Sequence, residues 1–240
     1  MFFFHLAARV FFYDRLLRIS FFLICKMKTE IISSFNNLNL LENAADAVRK
    51  GKVVAFPTET VYGLGCSIHS EEGMKEIFRL KGRDFSNPLS AHISSLSQVE
   101  DIAMENDERL DLLMKHFWPG PLAIIVKKKS NISDLMTSGM NTIGIRYPDD
   151  ELAVKLIEAV GHPIAGTSAN LSGGNSAVEA GKVIEQFNGR IPYIIDGGKS
   201  KFSKESTIIS LVEKDAKLLR IGALDPILII EKTGISLLGL

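Results

Sequence analysis

Apolar positions in this chain recur at two periods, and the way the two interleave predicts the fold class. Leu41, Ala44, Ala45 and Val48 share a helical face that opens on Asn39 and Glu42, a capping-box-like pair, and closes at Gly51. Ser70 caps a second helix with Met74, Ile77 and Phe78 inward. Ser95 and Gln98 open a third, carrying Leu96, Val99, Ile102 and Ala103. Leu110, Leu113, Met114 and Phe117 mark a fourth, stopped by Pro119. Asp149 caps a fifth with Leu152, Leu156, Ile157 and Val160, ended by Gly161. Ser176 with Glu179 boxes a last one through Phe187. Between them lie short strand-like runs: Val53–Phe56, the return after Asn87 to Ile93, Leu122–Val126, Thr142–Arg146, Pro163–Ala165, Tyr193–Ile195, Thr207–Val212 and Lys217–Ile221. Without repeats or low-complexity linkers, this alternation predicts one α/β domain.

Composition narrows the function classes. With 46% hydrophobic and 23% charged residues the chain is built for a sizeable core. Its formal net charge is zero, so no global basic field gathers nucleic acid, and an anion site has to be local. Cys25 and Cys66 provide neither a disulfide framework nor metal-ligand spacing, which suits a reducing, cytoplasmic setting. Residues 1–26 stand apart, holding half of the chain's 14 phenylalanines. Arg9, Asp14, Arg15 and Arg18 interrupt every apolar run there, so no uncharged span of about 18 residues exists to cross a bilayer. The segment is read as an N-terminal extension outside the fold, with Met27 the working start. A chain beginning at Met27 is therefore expected to match the full chain in melting temperature and activity. A substantial loss of either would show that the aromatic segment packs on the domain.

Two polar loops carry the candidate chemistry. Pro57-Thr58-Glu59-Thr60-Val61-Tyr62-Gly63-Leu64-Gly65 follows an apolar strand with three hydroxyls, a carboxylate and glycines that admit positive φ or close approach of a bound molecule. An ordinary strand-to-loop turn fits the same residues. Gly166-Thr167-Ser168-Ala169-Asn170-Leu171-Ser172-Gly173-Gly174, ahead of the helix boxed by Ser176, fits a phosphate cradle or a plain turn. Lys81 continues the inward series of its helix, with Gly82 and Arg83 after it. These cations complement a helix C-terminus, or they line an anion-binding cleft. His92 alone reads more readily as a satisfied core histidine than as a ligand. Gly198-Lys199-Ser200 resembles the end of a Walker A loop but lacks the earlier glycine. There is no dinucleotide fingerprint, zinc signature or nucleophile elbow.

Six segments in register then resemble the threonylcarbamoyl-AMP synthases, the YrdC-like family: Pro57–Gly65; Lys81-Gly82-Arg83 with Asn87-Pro88-Leu89; Thr142–Arg146; Ser168-Ala169-Asn170-Leu171-Ser172-Gly173; Glu205-Ser206-Thr207; and Leu219-Arg220-Ile221-Gly222. The match runs over residues 32–233. The resemblance implies a twisted, open, mixed α/β sheet flanked by helices, with a concave, positively lined cavity. It implies the joining of L-threonine, bicarbonate and ATP into threonylcarbamoyl-AMP and pyrophosphate, for a downstream tRNA threonylcarbamoyl transferase. Direct tRNA binding and membrane association are not expected. Carried over by motif, Thr60, His92, Thr142, Arg146, Ser168 and Ser206 match threonine-side positions. Arg83, Asn87, Asn170 and Arg220 match nucleotide-side positions, and Lys81, with Arg83, matches the catalytic pair. Mg2+ would arrive with ATP, with no protein-bound metal. Asp84, Ser90, Val178 and Ile221 depart from the family pattern, which has proline, an aliphatic residue, threonine and proline there. The length fits the short, single-domain form. Two other readings share parts of this pattern: the carbamoyl-adenylating domain of hydrogenase maturation, and a non-catalytic RNA-binding module, which would need a basic stripe.

Overall fold

The computed structural model describes residues 28–33, 38–104 and 107–240, and within them one mixed sheet of eleven strands carries eight helices. The strands are β1 (Glu30–Ile32), β2 (Val54–Phe56), β3 (Gly63–Ser67), β4 (Ser90–His92), β5 (Leu122–Lys127), β6 (Thr142–Arg146), β7 (Ile164–Ser168), β8 (Tyr193–Ile195), β9 (Thr207–Ser210), β10 (Ala216–Arg220) and β11 (Leu237–Leu238). Their spatial order is β1-β8-β2-β3-β7-β4-β6-β5-β9-β10-β11. The helices are α1 (Leu38–Arg49), α2 (Glu71–Lys81), α3 (Ser97–Ile102), α4 (Glu108–Phe117), α5 (Asp134–Thr137), α6 (Glu151–Val160), α7 (Ala180–Phe187) and α8 (Pro226–Thr233).

The two faces of the sheet are covered differently, and that difference makes the site. On one face Met74, Ile77 and Phe78 of α2, Leu113 and Phe117 of α4, Val183 and Phe187 of α7 and Ile229 of α8 join a continuous core with Leu64, Ala91, Ile124, Ile143, Ile145 and Ile209 of the strands. On the other, α1 and α6 bring Leu41, Ala44, Val48, Leu156 and Ile157 onto Ile32, Val54, Phe56, Ile164 and Ile195. That second layer covers β1, β8, β2 and part of β7. The face of β4, β6, β5 and β9 beside it carries His92, Arg146, Ala123, Ile125 and Ile208, which line a cavity instead.

Most predicted elements form, with boundary corrections that have local causes. α2 follows the expectation: the Ser70 hydroxyl accepts from Gly73 N at 3.0 Å, and Gly82 ends the helix at φ 59°. α1 already begins at Leu38, so Asn39 lies in its first turn. α3 begins at Ser97; Gln98 reaches back to the Ser94 N–H at 2.9 Å, while Ser95 bonds the Ser97 hydroxyl. Asp150, not Asp149, caps α6, accepting from Ala153 N at 3.0 Å. α7 starts at Ala180, because the Ser176 hydroxyl is turned to Glu205 at 2.7 Å. The short elements β1, α5 and β11, together with α8, were not foreseen, nor was Gly63–Gly65 as part of a strand. Residues 1–26, with Cys25, lie outside the described residues.

Candidate active site

The cavity encloses about 470 Å³ over the uncovered half of the sheet. Its floor is set by strand register. Ser90 pairs with Gly166 on one side and Gly144 on the other, and His92 pairs with Arg146 one step along. Because side chains alternate at a period of two, Ser90, His92, Gly144 and Arg146 share this face while Ile143 and Ile145 enter the core. Gly144, with no side chain, leaves a slot on this face. The hydroxyl that bounds it opposite Arg146 belongs to Ser90, 3.1 Å from where a Gly144 Cβ would sit, and not to Thr142. Thr142 stands at the far end of β6 beside Lys127 and does not line the cavity.

The Pro57–Gly65 segment forms one wall. The Thr58 hydroxyl donates to Val61 O at 2.6 Å and lies 2.9 Å from the Thr60 hydroxyl, so Thr60 is held behind Thr58 and outside the lining. Arg146 donates through Nη2 to Glu59 Oε2 at 2.6 Å and to the Thr58 hydroxyl at 3.3 Å, with Arg146 and Glu59 both buried. The carboxylate that pairs with Arg146 is thus Glu59, 87 residues away in sequence, rather than Asp149 or Asp150 at the next helix cap. Glu59 Oε1, Arg146 Nε and His92 Nδ1 are buried without partners. The glycines answer packing rather than positive φ: a Cβ on Gly63 would lie 2.8 Å from the Phe56 ring, and one on Gly65 2.4 Å from Ile164.

The Lys81 ammonium ties the second loop together. Its Nζ donates to Ser168 O at 2.5 Å and Asn170 O at 2.6 Å, with Asn170 Oδ1 at 3.4 Å, while Ser172 N donates to Lys81 O at 2.9 Å. Burial, then the neighbouring Arg83 charge, pushes this ammonium down to about 8, opposed by Glu205. Three oxygen acceptors match the three hydrogens of the charged form. Lys81 is thus more than a complement to the helix dipole. Asn170 Nδ2 donates to Leu171 O and Gly174 O at 2.8 and 2.7 Å, and Ser168 Oγ donates to Asn170 Oδ1 at 2.6 Å, which fixes the loop's curl. Its end at Gly174 precedes α7 by several residues, so the expected cradle lacks an adjoining helix N-terminus. Arg83 donates to the carbonyls of Asn87 at 3.1 Å and Pro88 at 3.0 Å. Asn87 therefore serves through its backbone, and its exposed side chain is not in the lining.

Arg220 closes the far side, donating to Ser206 O at 2.9 Å and Glu205 Oε2 at 3.0 Å. Burial lowers the pKa of Arg83, and of Arg220 too, where Glu205 opposes and Arg146 adds. Lys81, Arg83, His92, Arg146, Ser168, Asn170, Ser206 and Arg220 all line one cavity, and Val178 and Ile221 do not. Sequence reasoning does not reveal Glu59 and Ser90 as members of this constellation, and it offers Glu205 only within the Glu205-Ser206-Thr207 segment, because each is brought in by a contact distant in sequence. Gly222 lets the Arg220 turn lie against the neighbouring strand: a Cβ there would come 2.2 Å from Ser206 C and 2.3 Å from Thr207 N. Gly222→Ala is expected to cost about 3 kcal/mol or more, since rigid backbone has to move, and a urea unfolding curve checks it.

His92 is buried against the Phe56 ring at 5.6 Å, and burial, then the Arg146 charge, pushes its imidazole down to about 3. Its folded pKa lies below the unfolded value near 6.5, so the unfolded chain takes the proton first. Stability from this group is complete above about pH 6.5 and falls as the pH drops toward 3. Unfolding curves from pH 7 to 4 should show His92→Asn losing less stability across that window than the unaltered chain. Parallel losses would contradict the burial account.

A family model for the Sua5, YciO and YrdC proteins, described as Telomere recombination, matches residues 46–222. Threonylcarbamoyl-AMP synthase of Pyrococcus abyssi is 48% identical over 189 residues, covering 79% of this chain and 55% of the relative. The Bacillus subtilis protein of the same name is 44% identical over 185 residues, covering 77% and 54%. The chain thus spans about half the length of these curated relatives. A crystal structure of P. abyssi Sua5 complexed with L-threonine matches with a TM-score of 0.84 at 43% identity, covering 87% of this chain and 62% of that one.

Proposed function

This chain belongs to the Sua5, YciO and YrdC family, and from that premise we propose that it is an L-threonylcarbamoyladenylate synthase. It joins L-threonine, bicarbonate and ATP into threonylcarbamoyl-AMP and pyrophosphate in the cytoplasm, for a transferase that modifies tRNA. One observation carries the reading: three guanidiniums, of Arg83, Arg146 and Arg220, converge with the Lys81 ammonium on one cavity. Among the described residues the lining holds a single carboxylate, Glu205, and Arg220 and Ser176 already occupy it. That charge balance suits three anions together: a triphosphate, an amino-acid carboxylate and a carbamate.

The reaction needs no enzyme nucleophile. The threonine amine loses a proton and adds to the bicarbonate carbon, water leaves, and a carbamate forms. A carbamate oxygen attacks the α-phosphorus, the bond to the β-phosphate's bridging oxygen breaks, and pyrophosphate departs with that electron pair. The protein's work is alignment and neutralisation of developing charge. Arg146, with His92 and Ser206, takes the threonine side; Arg83, Asn170 and Arg220 take the nucleotide; Lys81 holds the loop between them. The lining, rich in hydroxyls but holding one occupied carboxylate, fits Mg2+ held mainly by phosphates and water, where it would offset triphosphate charge. No helix of the described residues is long and apolar enough to cross a membrane.

Pyrophosphate release tests the reading when each substrate is omitted in turn. Release that requires threonine, bicarbonate and ATP together is the expected result. Release driven by a carbamoyl donor without threonine would favour the hydrogenase-maturation type of chemistry, and no turnover with any donor would leave a binding module.

A further inference from the structure

Ser90 stands at the centre of the cavity floor, and we propose that its hydroxyl reads the β-hydroxyl of the amino-acid substrate, making it a specificity-determining residue; the inference rests on the synthase reading above. Across the strands β7, β4 and β6, Ser90 is flanked by Gly166 and Gly144, so its side chain is the one side chain on that row. Its hydroxyl lines the cavity and makes no hydrogen bond to the fold among the described residues. Two residues along the same strand and face, about 6.6 Å away, comes His92, paired with Arg146. There the His92 Nδ1 is buried and unpartnered.

These positions bracket a slot over Gly144. A carboxylate held by the Arg146 fork places the α-carbon of an amino acid above Gly144, with its β-substituents facing Ser90 and His92. The slot is small: a Cβ on Gly144 would already stand 3.1 Å from Ser90 Oγ, and one on Gly166 3.1 Å from His92 Nδ1. It therefore takes a short, branched β-carbon and leaves little for a longer side chain. A serine hydroxyl both donates and accepts, so it satisfies a β-hydroxyl in either sense. Valine, the same shape without the oxygen, sets a methyl group against an unsatisfied Oγ. Sites built to bond a substrate hydroxyl discriminate strongly in this way. The aliphatic residue that the family resemblance leads one to expect here would fill the slot with apolar atoms. Serine gives this chain both the room and the bonding group.

The test compares kcat/KM for threonine and valine by pyrophosphate release, with valine also titrated as a competitive inhibitor. The unaltered chain, Ser90→Ala and Ser90→Thr are compared. Ser90→Ala should lower the threonine-to-valine ratio about tenfold with the ATP KM unchanged, and Ser90→Thr, which keeps the hydroxyl, should restore most of it. An unchanged ratio in Ser90→Ala, or an equal loss for threonine, valine and ATP, would overturn the assignment while leaving the synthase reading in place. Failure of the unaltered chain to release pyrophosphate with threonine would overturn both.

Discussion

Glu59→Ala is expected to cost about 3–5 kcal/mol of folding free energy, the largest single-residue loss in the site. The substitution strands the Arg146 guanidinium, 6% exposed, without the carboxylate that meets it at 2.6 Å. The Thr58 hydroxyl at 3.3 Å cannot supply the missing charge. Urea unfolding of Glu59→Ala should show the loss, and product formation should fall with it, because the fork is no longer held. Arg146→Lys separates the two consequences. It keeps a charge beside Glu59 but removes the planar fork, so the threonine KM should rise on the order of tenfold with a smaller change for ATP. Equal effects on both substrates would mean that Arg146 meets phosphate.

Lys81→Ala should lower product formation at saturating ATP by roughly a hundred-fold, as charge-assisted contacts of about 1.5–3 kcal/mol are lost. The Ser168 and Asn170 carbonyls that accept from Nζ would be left facing each other across an empty position. The loop carrying Ser168 and Asn170 then loses its shape, although the rest of α2 keeps its Ser70 and Gly82 caps. Arg83→Ala, which releases the Asn87 and Pro88 carbonyls, should cost about tenfold in the same assay. Since the Lys81 ammonium is pushed down to about 8, activity should also decline as the pH rises past that value. Intact turnover with lowered stability in Lys81→Ala would return the residue to the plain role of complementing a helix dipole.

What was legible in the sequence follows from the range of the interactions. The α2 cap, its inward stripe and the placing of Lys81 at the end of that stripe depend on residues a few positions apart, so periodicity and Ser70 sufficed. The alternation that puts Gly144 and Arg146 on one face of β6 is equally local. Asp150 rather than Asp149 as a cap lay beyond reach, because adjacent aspartates offer the same chemistry and only backbone geometry chooses between them. Ser176 resembles a cap because nothing nearby in sequence competes for its hydroxyl; the competitor, Glu205, arrives from the loop that leads into β9. Glu59 was visible as a carboxylate in a polar loop, but its partner sits across the sheet. The floor of Gly166, Ser90 and Gly144 is likewise a product of register between strands from three separate parts of the chain. Motif resemblance supplied the cations of the cavity. It missed that Thr60, Thr142 and Asn87 fall outside the lining, because a motif carries identity and not the direction in which a side chain points.

The measurement closest to the central claim follows isotopically heavy bicarbonate into the product. The full chain is incubated with threonine, ATP and the labelled bicarbonate, and the nucleotide products are resolved by mass spectrometry. The account predicts a threonylcarbamoyl-AMP species that carries the heavy carbon, appears with an equal amount of pyrophosphate, and is reduced about tenfold or more by Arg146→Lys at limiting threonine. An AMP adduct without the label, or pyrophosphate formed with no adduct containing threonine, would contradict it.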